Sequence, residues 1–128
     1  MKKYLIIASF SGALSVGLGA FGAHGLKKVL SETALQSFET GVRYQIIHSL
    51  LLLLVVLLPV LSSSQKTKIA NVLTVGIVFF SGSIYALSLG LVPSKYIWFV
   101  TPLGGLLLLT SWLMIGLYAI KQKTTLSE

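Results

Sequence analysis

The chain has 128 residues, of which 55% are hydrophobic and 10% charged, with a mean hydropathy of +0.90. A water-soluble domain carries about 25% charged residues, so this composition excludes a soluble globular fold, and the length allows one compact unit over residues 1–128. Ten Lys and Arg face three acids, none of them Asp, for a net charge of +7.

That charge lies in connections and tails, outside the apolar runs, where helix anchors and topology signals sit. Nucleic acid is therefore not an expected partner. The absence of Cys excludes disulfides and thiolate chemistry.

Four apolar stretches, 4–23, 41–61, 69–92 and 96–120, each approach the roughly 20 residues with which a helix crosses a bilayer core of about 30 Å. The expected fold is all-α, an integral membrane bundle of four transmembrane helices in a single domain. Lys2-Lys3 ahead of the first run has the look of a signal peptide, but the run exceeds a signal core and three more spans follow, so a retained helix is expected. Ser11, Ser15, Gly19 and Ala23 recur every four positions along it, the spacing that lets helix backbones approach closely in lipid.

Residues 24–40 form the extended polar connection. Leu26, Leu30, Ala34, Leu35 and Phe38 make an apolar stripe opposite Lys27, Lys28, Glu32, Gln36 and Glu39. This pattern predicts a short amphipathic helix between helices one and two, with Ser31 as its N-cap. It can run on into helix two, with Gly41 as a bend.

Helix two is unbroken by polar residues from Leu50 to Leu58, and Pro59 with Ser62-Ser63-Ser64 marks its exit. Helix three carries Gly76, Ser83 and Gly90 seven apart, and Gly82, Ala86 and Gly90 four apart, which predicts a close seam. Pro93-Ser94-Lys95 is a turn. Pro102 and Gly104-Gly105 predict a kink early in helix four. Tyr96, Trp98, Trp112 and Tyr118 include interface anchors. Residues 121–128 read as a frayed tail.

Short turns make neighbouring helices antiparallel, so both termini share one side. Lys2, Lys3, Lys66, Lys68, Lys121 and Lys123 collect there, against Lys27, Lys28, Arg43 and Lys95 opposite. This bias places both termini in the cytoplasm and the chain in the cell membrane.

The polar exceptions form a pattern. His24 follows helix one; Tyr44, Gln45 and His48 open helix two; Ser81, Ser83 and Tyr85 lie in helix three; Thr101 lies early in helix four. Counted at 1.5 Å per residue from the span ends, His48, Tyr85 and Thr101 fall about 8–10 Å deep on the same side. A polar pocket in one leaflet is expected, with Glu39 and Arg43, four apart, as a rim ion pair. Buried ionisable groups in lipid often mark pathways, while the same hydroxyls can simply bond across helices and lock the bundle.

No metal site is expected, since the two His lack the spacing of a helical zinc site, and no cofactor is implied. No Gly-x-Ser-x-Gly elbow and no Asp exist to build a hydrolase triad. Gly17-Leu18-Gly19-Ala20-Phe21-Gly22 matches the letters of a dinucleotide fingerprint but lies inside a span, not after a strand.

Gly19-Ala20-Phe21-Gly22-Ala23-His24, then Thr40-Gly41-Val42-Arg43-Tyr44-Gln45 with His48, resemble the bacterial membrane family called domain of unknown function 423. Phe80-Ser81-Gly82-Ser83-Ile84-Tyr85 and Thr101-Pro102-Leu103-Gly104-Gly105 with Trp112 extend the resemblance to nearly the whole chain, and a eukaryotic relative, transmembrane protein 256, is similar. The resemblance implies a four-helix inner-membrane protein and no known activity. It marks His24, Tyr44, Gln45, His48, Ser81, Ser83, Tyr85, Thr101 and Pro102 as matching motif positions.

The leading functional expectation is a non-enzymatic binding or assembly module in contact with membrane lipids, self-associating through small-residue helix faces. The alternative is a small proton-coupled transporter of a solute or cation. It would rest on His48, since no acid lies deep in a span. A membrane enzyme is disfavoured by the shortage of acids and nucleophiles.

Overall fold

The computed structural model describes residues 1–122; Lys123 and the rest of the expected tail lie outside the described residues. The chain is all-helical there, and four segments are long and apolar enough to cross a membrane: Lys2–Lys28, Glu32–Leu57, Ser63–Ser88 and Ser94–Lys121.

Helix α1, Lys2–His24, runs without Pro and is followed by a 3₁₀ turn, Leu26–Lys28. Helix α2, Glu32–Leu57, starts at Ser31, whose hydroxyl accepts a bond from the Ala34 amide at 3.2 Å. Glu32 then sits in the first turn, where the helix dipole favours a negative charge. The amphipathic segment is therefore the opening of α2 itself, with no break at Gly41. Helix α2 ends because Pro59 disfavours helical backbone before it: Leu58 turns extended, at φ −61° and ψ 114°. The Val56 carbonyl left over near that end accepts a bond from Lys66 Nζ at 2.8 Å.

Ser62 and Gln65 form a reciprocal capping box that starts helix α3, Ser63–Ile77. A π-helical turn, Val78–Gly82, interrupts the helix before it resumes as α4, Ser83–Ser88. The exit of α4 is a Schellman motif: the Leu91 amide donates to the Ala86 carbonyl at 2.9 Å and the Gly90 amide to Leu87 at 3.2 Å. Gly90 takes φ +68° to do this. Helix three thus ends short of residue 92. Gly90 belongs to its cap rather than to a packing seam, because the motif needs a left-handed residue there.

A single-turn helix α5, Ser94–Ile97, precedes α6, Val100–Lys121. The expected kink lies ahead of Pro102, not at it. Pro102 has no N–H to offer the carbonyl four residues back, that of Trp98. The helix breaks at 98–99 and restarts with Pro102 in its first turn, where an absent N–H costs nothing.

In the bundle α1 packs along α2, α2 packs on α3, the π turn and α4, and α6 packs on α3 and the π turn. Helix α1 meets α2 through small residues: a Cβ added at Gly19 would stand 3.3 Å from Val42, and one at Gly22 would stand 3.1 Å from Phe38. Gly76 does the same for α6, with Leu108 at 2.8 Å from such an atom. Gly104 is the tightest point. A Cβ there would overlap the backbone nitrogen of Phe80 and lie 2.8 Å from the Phe79 carbonyl carbon. Gly82 faces open space, so the row of Gly82, Ala86 and Gly90 does not pack within the chain.

The apolar core gathers Tyr4, Leu52, Val55, Ile69 and Leu73 near the side of the N-terminus. Tyr4 anchors it by donating to Asn71 Oδ1 at 2.6 Å.

Candidate functional site

Gln45 is the hub of the buried polar groups. It is 4% exposed. Its Nε2 donates to the Ser11 carbonyl at 3.0 Å and approaches Ser11 Oγ at 3.3 Å. Its Oε1 accepts from the Tyr85 hydroxyl at 2.6 Å. Ser49 Oγ lies 2.7 Å from both Ser11 Oγ and the Gln45 carbonyl. Three helical segments, α1, α2 and α4, are thereby joined at one amide, the side-chain group that offers two donors and an acceptor together.

Ser81, on the π turn, donates to the Gly41 carbonyl at 2.7 Å. That carbonyl is available because Gly41 lets α4 approach: a Cβ there would lie 2.9 Å from the Tyr85 ring. Phe38 packs on the other side of Tyr85, ring centroids 5.1 Å apart.

A second cluster faces α6. Trp112 Nε1 donates to His48 Nε2 at 3.1 Å, and His48 Nδ1 stands 2.7 Å from the Tyr44 carbonyl. An indole N–H can only donate and a carbonyl can only accept. His48 is consequently the neutral tautomer with its proton on Nδ1, and both ring nitrogens are satisfied. The Tyr44 ring stacks on His48, centroids 5.8 Å apart, and also touches Phe80 at 4.8 Å. Ser83 and Thr101 share a hydrogen bond of 2.5 Å, closing α4 onto α6.

The expected polar pocket is thus divided: Gln45 and Tyr85 share one network with Ser81 bonded nearby to Gly41, Tyr44 and His48 meet Trp112, and Ser83 and Thr101 pair about 16 Å along α6 from Trp112. His24, the last residue of α1, is exposed and joins none of these groups. Glu39 and Arg43 are both exposed, and the structure does not bring them into an ion pair among the described residues.

Helix α2 begins at Glu32, well before Gly41, so Gln45 lies about 20 Å along a helix of about 39 Å. Its partner Ser11 is likewise near the middle of α1. The Gln45 cluster thus joins α2 to α1 near the midpoint of each helix.

Ser11, Ser49 and Trp112 are the hydrogen-bond partners that pattern reading missed. Ser11 looked like packing and Trp112 like an interface anchor. The available signal was only that both lie in otherwise apolar or small-residue runs.

Beside Gln45 the surface opens into a groove of about 350 Å³ between α1 and the α3–π segment. Its walls are Ile7, Phe10 and Leu14 from α1 and Ile77 and Val78 opposite, while Ser11, Gln45, Ser81 and Tyr85 line its polar part. That is a concave, mostly apolar site with a few convergent polar groups, at the small end of ligand-pocket volumes. It can hold an apolar chain, its polar groups being bonded to one another beneath the surface. It contains no nucleophile–base pair, and among the described residues no three His, Asp or Glu side chains gather where a metal would bind.

The family model described as "Protein of unknown function (DUF423)" matches residues 18–105. UPF0382 membrane protein YwdK of Bacillus subtilis is 40% identical, with 94% of this chain and 98% of that protein covered. A UPF0382 membrane protein of Haemophilus influenzae is 38% identical over 96% of this chain and 98% of its own length. UPF0382 membrane protein C1782.12c of Schizosaccharomyces pombe is 42% identical over 83% of this chain and 92% of its own length. No solved structure matches the chain.

Proposed function

Since the chain belongs to the DUF423 family of membrane proteins, whose function is unknown, we propose that it is a non-enzymatic binding module holding one neutral amphiphile in the groove beside Gln45. The observation that carries this reading is the placement of Gln45 and Tyr85. A buried amide and a phenol, tied to each other at 2.6 Å, line a groove whose walls are otherwise aliphatic and aromatic. Bundle locking alone needs the hydrogen bonds but not the opening. Gln45 Oε1 and the Tyr85 oxygen each keep a spare lone pair behind an almost wholly apolar groove surface, so the occupant is chiefly an apolar chain whose hydroxyl or amide head would be the minor part of the contact.

The module sits in the cell membrane with both termini in the cytoplasm, a reading supported by the Lys excess on that side. Self-association would use the outward small residues, Gly17 on α1 and Gly116 on α6, where an added Cβ meets nothing. Proton-coupled transport is less well supported, because both nitrogens of His48, the group that would carry the proton, are engaged.

The test is native mass spectrometry of the protein released from its own membrane with lipids retained. Wild type keeps one additional apolar species of constant mass. Gln45→Leu combined with Tyr85→Phe loses it, while helix content by circular dichroism is unchanged. Equal retention in the wild type and the double variant would rule out this groove as the site.

A further inference from the structure

We infer that the chain carries a second binding site, independent of the groove beside Gln45, for the uncharged polyhydroxylated headgroup of a glycosylated glycerolipid. It is a cavity of about 630 Å³ between the opening of α2, the end of α4 and the start of α5 and α6. Helix α2 is about 39 Å long, more than the roughly 30 Å of a bilayer core. Its first turns therefore reach the headgroup layer, and the cavity lies at that level.

The lining chemistry selects the ligand. Six hydroxyl-bearing residues line the space, Ser31, Thr33, Ser37, Ser88, Ser94 and Thr101; Ser31 also caps α2 and Thr101 also bonds Ser83. No Lys, Arg, Asp or Glu lines it, so nothing there compensates a phosphate or an ammonium. Hydroxyls both donate and accept, which matches the alternating donors and acceptors of a sugar.

Trp98, 68% exposed at the edge of this cavity, offers a flat apolar face against which a sugar ring can lie. Ile84, Leu87 and Pro102 continue the wall in apolar character, where the glycerol and first acyl carbons would run. That continuity points to a lipid-borne sugar rather than a soluble one.

Ser88 is an independent pointer. Its Oγ is the buried side-chain polar atom without a hydrogen-bond partner among the described residues, and its residue lines this cavity. An orphaned buried hydroxyl is costly and is ordinarily satisfied; Ser88 Oγ is closed off in its present rotamer, and a turn about χ1 towards the cavity would give it a ligand hydroxyl as partner.

The test uses the full chain in phosphatidylcholine nanodiscs doped with diglucosyl diacylglycerol or, separately, phosphatidylglycerol, read by native mass spectrometry. Wild type enriches the glycolipid over its bulk fraction, and Trp98→Leu and Ser88→Val each reduce that enrichment about fivefold, the scale of one lost contact. Trp98 is exposed, so its replacement leaves the fold intact and keeps the test decisive if Ser88→Val unfolds. Three results overturn the assignment: no enrichment of glycolipid, equal enrichment of phosphatidylglycerol, or full enrichment in Trp98→Leu. Displacement of the glycolipid by equimolar maltose would instead assign the site to a soluble sugar and overturn the lipid source.

Discussion

Replacing Gly104 by Ala should destabilise the bundle although Ala is the better helix former. Helix propensity favours the change by about 1 kcal/mol. Against it stands the geometry at the π turn. The added Cβ would overlap Phe80 N and lie 2.8 Å from Phe79 C and Phe80 Cα. These are backbone atoms and cannot rotate aside, so α6 must move off the π turn by more than half an ångström to reach ordinary contact. Overpacking of that kind costs about 1–3 kcal/mol. The same displacement pulls on the Ser83–Thr101 and Trp112–His48 bonds, each worth about 0.6 kcal/mol in a membrane bundle. The net expectation is a loss of about 1–3 kcal/mol, combining overpacking, weakened bonds and propensity.

Gly105→Ala is the matched control. Its Cβ would meet only the Phe80 ring at 3.6 Å, so it should be neutral or stabilising by up to about 1 kcal/mol. Unfolding in bicelles by a steric trap measures both. If the two variants lie within about 0.5 kcal/mol of each other, near the resolution of such comparisons, the tight contact between α6 and the π turn is refuted.

Further outcomes follow from single contacts. A double-mutant cycle of Trp112→Phe and His48→Ala should give a coupling of about 0.6–1.7 kcal/mol by bicelle unfolding; zero coupling would remove the indole–imidazole bond. Gly90→Ala forces a Cβ into φ +68° and should cost about 1–2 kcal/mol, while Gly82→Ala, in open space, should cost nothing measurable by thermal melting. Ser62→Ala breaks the capping box of α3 and should cost about 1 kcal/mol, with faster amide exchange at Gln65 as the local signature.

What the sequence determined by itself was everything that depends on hydropathy and on the chain's immediate neighbours. Four runs of apolar residues specify four helices, since backbone groups in lipid must bond within their own segment. Ser31 and Pro59 mark ends of α2 for reasons local to those residues. Order along the chain was enough to put the opening of α2, the end of helix three and the start of helix four on one side of the bundle, where Gln45 meets Tyr85 and Ser83 meets Thr101.

What only the tertiary structure decided was direction around each helix. The π turn holds an extra residue without marking itself in the letters, and one residue corresponds to about 100° of rotation. Ser81 and Ser83, two apart, point about 200° away from each other on any helix, and the azimuth of the segment that carries them decides that Ser81 meets α2 and Ser83 meets α6. Gly90 shows the same limit: a glycine in a packing seam and a glycine in a Schellman cap read identically until φ is known. Depth can be counted along a chain because rise is constant, but which side chains meet across helices depends on the azimuth set by partners that hydropathy does not encode.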